Sequence, residues 1–274
     1  KNSPLILMPR YYTRVCNFYY GNNSKKLVMK RKSLPLNGNK YISFDKVEIF
    51  SGKLRKIISL KEVNNLSNHL KKKVKKDIKQ ASKQKTFKYF KLKSSPILMG
   101  VLNITPDSFS DGGKYFKSIF AKKHLSHLFK SGADLVDIGG ESTRPGSKAV
   151  NTKKEWDRIK KILKTMDKRK IISLDTRKSE IMEKGIKLGV KIINDVSGLE
   201  YDRNSIKILK KYNVPFVLQH SLGSPDTMQL NPKYKNVLLD IYDFFEKKIK
   251  YLRLNGIDHN NIILDPGIGF GKNL

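Results

Sequence analysis

A chain of 274 residues, 38% of them hydrophobic, can bury one large α/β domain plus a small appendage, and a net charge of +33 makes it strongly basic. Its single cysteine, Cys16, excludes a disulfide framework and a thiolate metal cluster, and no apolar run reaches the ~18 residues that a membrane span needs. The charge is lopsided, with 25 Lys+Arg against 4 Asp+Glu in residues 1–95 and 32 against 20 in 96–274. Lysine dominates this excess without clustered arginine and aromatics, which reads as a solvated surface rather than a nucleic-acid site. The start is basic and free of acids up to Asp45, as in a transit peptide, but Pro4, Pro9 and Pro35 interrupt any amphipathic helix. A cytoplasmic protein is the expectation.

Residues 1–60 read as short strands and turns: LILM, RVCNFYYG, KLVMK, a turn at Asn37, Gly38 and Asn39, and YISFDKVEIF closing at Gly52. From Lys61 to about Lys85, Val63, Leu66, Leu70, Val74 and Ile78 recur on one face, which predicts a lysine-covered helix. Residues 1–95 are therefore expected to form a small α+β extension, with a linker near Ser94 and Ser95.

After Pro96 the grammar changes. Strand-like cores at 97–103, 135–140, 171–176, 191–196, 215–220 and 262–267 alternate with helical stretches at 118–131, 152–168, 178–188, 202–212 and 235–255. Alternating apolar runs and amphipathic helices predict a parallel sheet with helices outside, and the absence of a GxGxxG turn favours a TIM (β/α)8 barrel over a dinucleotide-binding sheet. The predicted strand ends read Asn103, Glu141, Asp175, Asn194, His220 and Asp265, a polar group each time. In such a barrel these ends carry the chemistry.

The stretches NITPDSFSDGG, GGESTRPGS, SLDT, INDVSG and LDPGIGFGK stand in an order and spacing that resembles the dihydropteroate synthase family over about 97–274. The resemblance implies condensation of 6-hydroxymethyl-7,8-dihydropterin diphosphate with 4-aminobenzoate, giving 7,8-dihydropteroate and diphosphate for folate synthesis. A pterin presents an aminopyrimidine edge of N–H donors, which Asp265, Asp175 and the amide of Asn194 suit. Asn103 matches the family's Mg2+ position, and a departing diphosphate needs such a Lewis acid. Loss of diphosphate leaves positive charge on the pterin methylene. Asp107 and Asp111 are the candidates to stabilise it, the choice between them staying open. The aromatic amine is neutral at pH 7, so no strong base is needed, and Arg144 adds charge to the second loop. By resemblance Thr143 touches the pterin, while Phe109, Ser142, Arg144 and Pro145 surround the aminobenzoate, where sulfonamides compete.

Two departures from the family stand out. Ser221 and Leu222 occupy places where the family usually has Met or another residue and Gln, and the lysine, arginine and histidine of the last two strands have no counterparts. A barrel truncated after its sixth strand exposes two apolar sheet edges, so the chain is expected to be part of a longer product, poorly soluble and inactive as given. The family is typically homodimeric, and the intact enzyme is expected to be so. Two rival readings remain. A corrinoid methyltransferase shares the pterin pocket but needs neither the first loop nor ESTRPG, and a non-catalytic RNA-binding module would have lost the strand-end carboxylates.

Overall fold

The structure is a computed structural model that describes residues 10–51, 54–90, 96–105, 114–142, 149–221 and 233–272, the stretch 114–118 by its backbone alone. The chain divides into two compact units, one holding the described residues up to Thr86 with Pro96, the other Phe87–Phe90 and the described residues from Ile97.

In the first unit, β1 (Tyr12–Tyr20), β2 (Leu34–Leu36) and β4 (Leu54–Ser59) all pair antiparallel with the long β3 (Asn39–Ser51). Asn37 and Gly38, both at positive φ (51° and 74°), make the tight hairpin turn between β2 and β3. Helix α2 (Asn68–Ser82) lays Val74 and Ile78 onto Phe44, Val47, Ile49 and Ile58 of the sheet. KLVMK is not a strand: it belongs to helix α1 (Gly21–Met29), whose Ser24 is buried and donates to the Lys40 carbonyl at 2.9 Å. Five apolar-leaning residues fit either period, and packing decided. The helix expected from Lys61 begins only at Asn68, because Leu66 and Ser67 are extended after a 3-10 turn at Glu62–Asn65. LILM and the linker serines lie outside the described residues.

The second unit is a sheet of six parallel strands in sequence order: β5 (Met99–Asn103), β6 (Leu135–Gly139), β7 (Ile171–Asp175), β8 (Ile192–Asp195), β9 (Phe216–Gln219) and β10 (Ile262–Asp265). Helices α3 (Lys114–Lys130), α4 (Thr152–Thr165), α5 (Ser179–Leu188), α6 (Ser205–Tyr212) and α7 (Val237–Leu254) separate them. This is the winding of a (β/α) barrel, six units of it, as the apolar runs predict. Side chains alternate across each strand. Leu102, Ile138, Leu174, Ile193, Phe216 and Leu218 point outward into a core with Ile159, Leu163, Ile181, Met182, Leu209 and Leu252 of the helices. Each such burial is worth about 1.5–3 kcal/mol. On the other face β5 leaves Met99 and Val101 exposed. Among the described residues, β5 and β10 are the sheet's free edges.

Candidate active site

Register aligns the ends of four neighbouring strands. Asn103 pairs with Gly139, Gly139 with Asp175, and Asp175 with Asn194. Asp265 pairs with Gln219 two residues further along, at the other edge of the sheet. Alternation puts Asn103, Asp137, Ser173, Asp175, Asn194, Gln219 and Asp265 on the inward face. Gly139 shows how close they stand: a Cβ there would lie 2.9 Å from Asn103 Oδ1 and 3.3 Å from Asp175 Oδ2, so the row admits no side chain at that point.

This inward face is buried yet incompletely bonded. Asn194 Nδ2 donates to Asp137 Oδ2 at 2.8 Å and Ser173 bonds to the same carboxyl, while Asn194 Oδ1 and Gln219 Nε2 are buried without a partner. Native interiors rarely leave such atoms unpaired, because each costs about 1–3 kcal/mol. Two such atoms on the adjacent strands β8 and β9, beside the buried Asp137 and Ser173 of β6 and β7, describe a cavity wall made to meet donors and acceptors. Burial drives the Asp175 carboxyl well above its usual range, and the charges of Asp137, Asp195, Glu155 and Glu141 push the same way. Burial likewise raises Asp137, against the hydrogen bonds of Ser173 and the Asn194 amide.

Behind Asp175 lies a buried ion cluster. Lys178 Nζ bridges Glu141 Oε2 (2.9 Å) and Glu155 Oε2 (2.5 Å), and Arg177 holds both oxygens of Glu141 at 3.1 Å while stacking over Tyr201. Thr176 Oγ1 donates to Glu155 Oε1 at 2.6 Å. Burial works against ionisation of Glu141, but Arg177, the Val150 N–H and Lys178 hold its carboxyl below the usual range. Asn151 caps α4 by accepting from Lys154 N, and this start of the helix sets Glu155 under the strand ends.

On β9 and β10 the bonding is tighter. His220 N donates to the Asp265 carbonyl (2.9 Å), and Asp265 Oδ1 accepts from Gly267 N (2.8 Å). The buried His220 ring packs edge-on to Phe244, centroids 4.8 Å apart, and burial with nearby Lys272 lowers its pKa.

The structure thus gathers Asn103, Asp175 and Asn194 in one row, with Asp265 across from them. Two of the six strand-end groups serve the frame instead: Glu141 is held by its cations, and His220 is packed among aromatic rings. Ser142 is half-buried and follows Glu141 directly. Asp107, Phe109, Asp111, Thr143, Arg144, Pro145 and Leu222 lie outside the described residues. Ser221 is described, its Oγ 3.4 Å from the Val196 carbonyl. Sequence reasoning missed Asp137 and Gln219; the signal was a carboxylate inside the apolar run LVDIG and an amide ending PFVLQ. Among the described residues no three acidic, His or Cys side chains cluster as a metal cage, and no helix is long and apolar enough to cross a membrane.

Residues 99–274 match the model of the family described as pterin binding enzyme. The dihydropteroate synthase of Clostridium beijerinckii is 41% identical over 68% of this chain and 67% of its own length, and that of Escherichia coli 40% identical over 66% and 64%. The crystal structure of the Yersinia pestis dihydropteroate synthase with a sulfonamide drug complex is similar with a TM-score of 0.62 at 38% identity, covering 69% of each chain. The chain spans about two thirds of the length of the relatives it matches. With the strand-end row and these relatives in agreement, the chain belongs to the pterin-binding enzymes, within the dihydropteroate synthase family.

Proposed function

We propose that the protein condenses 6-hydroxymethyl-7,8-dihydropterin diphosphate with 4-aminobenzoate, releasing diphosphate and forming 7,8-dihydropteroate for folate synthesis. The observation that carries this reading is the set of unpartnered buried polar atoms on the inward face. The N–H donors of a pterin edge meet the Asp265 carboxylate and the oxygens of Asp137 and Asp175, and its ring acceptors meet Gln219 Nε2. A wall of this kind rejects ligands lacking those groups, because its buried atoms then stay unpaired. The sulfonamide bound to the Yersinia pestis relative supports a neighbouring aminobenzoate subsite, which we assign to Phe109, Ser142, Arg144 and Pro145, with Thr143 on the pterin.

The reaction breaks the methylene–oxygen bond and forms a methylene–nitrogen bond. Asp107 or Asp111 faces the positive charge that builds on the methylene, and the neutral amine attacks without a strong base. The carboxamide oxygen of Asn103 is a hard, neutral ligand suited to Mg2+, which takes few protein oxygens and fills its shell with phosphate and water. When bound, Mg2+ neutralises the leaving diphosphate. A cytoplasmic homodimer is the form we propose for the enzyme.

Isothermal titration of the dihydropterin diphosphate with Mg2+ tests the reading. Binding that requires Mg2+ and weakens by more than tenfold, ~1.4 kcal/mol, in Asp265→Asn supports it. A folded protein that binds no pterin overturns it.

A further inference from the structure

Lys272 is the last described residue, and the reaction proposed above gives it no task. Its ammonium donates to three backbone carbonyls: Gly267 O at 2.8 Å, Phe270 O at 2.9 Å and His220 O at 3.2 Å. An ammonium has three protons, so the tripod uses all of them. Two of the acceptors belong to the turn after Asp265, and the third to the end of β9. Asp265 is bonded into the same assembly through Gly267 N and His220 N.

The backbone there is close-packed. Gly267 has φ of +65°, and a Cβ on it would lie 2.1 Å from the His220 carbonyl. Three carbonyl dipoles converging at such short range repel one another unless a cation lies between them. Lys272 supplies that cation from within the chain. Among the described residues its hydrogen bonds go to carbonyls and not to Asp265, although Asp265 is near enough to act on it through space. A lysine that capped Asp265 would compete with a ligand for the carboxylate oxygens, whereas one bonded to carbonyls leaves them open.

We infer that Lys272 is a positioning residue, an internal cation in a carbonyl tripod that fixes the turn at 267–270 and so aims the Asp265 carboxylate at the pterin edge. The inference rests on the pterin reading of the pocket. Removing the ammonium while keeping the side-chain length leaves three carbonyl oxygens 2.8–3.2 Å from the vacated point, a spacing that fits ammonium or potassium and is too wide for sodium, so the lost function is recoverable from solution.

The test is titration of 6-hydroxymethyl-7,8-dihydropterin into the full chain and its Lys272→Met variant, with and without added ammonium or potassium chloride, sodium chloride serving as the ionic-strength control. Wild-type binding is required first, and its failure sinks the pterin reading rather than this one. Given that binding, we expect Lys272→Met to lose at least tenfold in affinity and to recover most of it with ammonium or potassium but not with sodium. Unchanged affinity, or a loss that no cation restores, overturns the inference. Should Lys272→Met fail to fold, reductive methylation of the native protein followed by peptide mass spectrometry decides: Lys272 should label more slowly than exposed lysines such as Lys72 and Lys76, and labelling as fast as theirs overturns the tripod.

Discussion

Asn194 reaches across the whole width of β7 to donate its Nδ2 proton to Asp137 Oδ2 at 2.8 Å, joining two strands that are not neighbours. Replacing it with alanine takes away this donor and leaves the buried carboxyl to Ser173 alone among the side chains that bond it. Asn194→Ala is expected to cost about 1–3 kcal/mol in urea unfolding and to weaken pterin binding by more than tenfold. A variant with full affinity would remove the inward face from the site.

Gly139→Ala separates site from scaffold. Its methyl would press on Asn103 Oδ1 and Asp175 Oδ2 and so displace both site side chains, while the strand backbone is not among its nearest contacts. The variant should keep its circular dichroism and lose pterin affinity. A collapse of the fold with no separate binding defect would contradict this.

Lys178 is buried between Glu155 and Glu141, both also buried. Taking away one partner of a buried pair strands the remaining charges, so Lys178→Met should cost about 3–5 kcal/mol. The double variant Lys178→Met/Glu155→Gln should recover part of that loss. Equal or greater destabilisation in the double variant would show that the ion cluster is not what the lysine supports.

Burial raises Asp195 from its usual 3.8 to about 6, against two hydrogen bonds from Ser197. A carboxyl raised in the folded state binds its proton more tightly there than in the unfolded chain. Its contribution to stability is therefore greatest below the unfolded pKa and falls away as pH rises from about 4 to about 6. Asp195→Asn does not titrate. The stability difference, variant minus wild type, should grow over that window by roughly 3 kcal/mol. A difference that stays flat in urea midpoints from pH 4 to pH 7 would count against a perturbed Asp195. Asp137 is raised in both proteins, whereas Asp175 loses the push of the Asp195 charge in the variant, so its own titration belongs to the difference.

Strand and helix order in the second unit was legible because long runs such as ILMGVLN and IISLD are apolar, bounded and separated by helices with a clear stripe. KLVMK was not, being too short for its period to speak. β4 (Leu54–Ser59) escaped because RK interrupts a short run that only pairing with β3 turns into a strand. In the site, Asp175, Asn194, Asp265 and Asn103 announced themselves as polar groups at strand ends. Asp137 did not, since a carboxylate inside an apolar run reads as an interruption until the strand is wound and its face is known. The ion cluster was hidden for a different reason: Glu155 and Lys178 lie 23 residues apart on separate elements, and no spacing rule brings them together.

Glu141 Oε1 accepts the Val150 N–H at 2.7 Å, pinning together two residues nine apart while Arg177 and Lys178 grip the same carboxylate. The residues between them include Ser142, Arg144 and Pro145, to which the aminobenzoate subsite is assigned. The span that carries them is therefore closed at its base by one carboxylate, so a change at Glu141 would loosen the subsite and the ion cluster together.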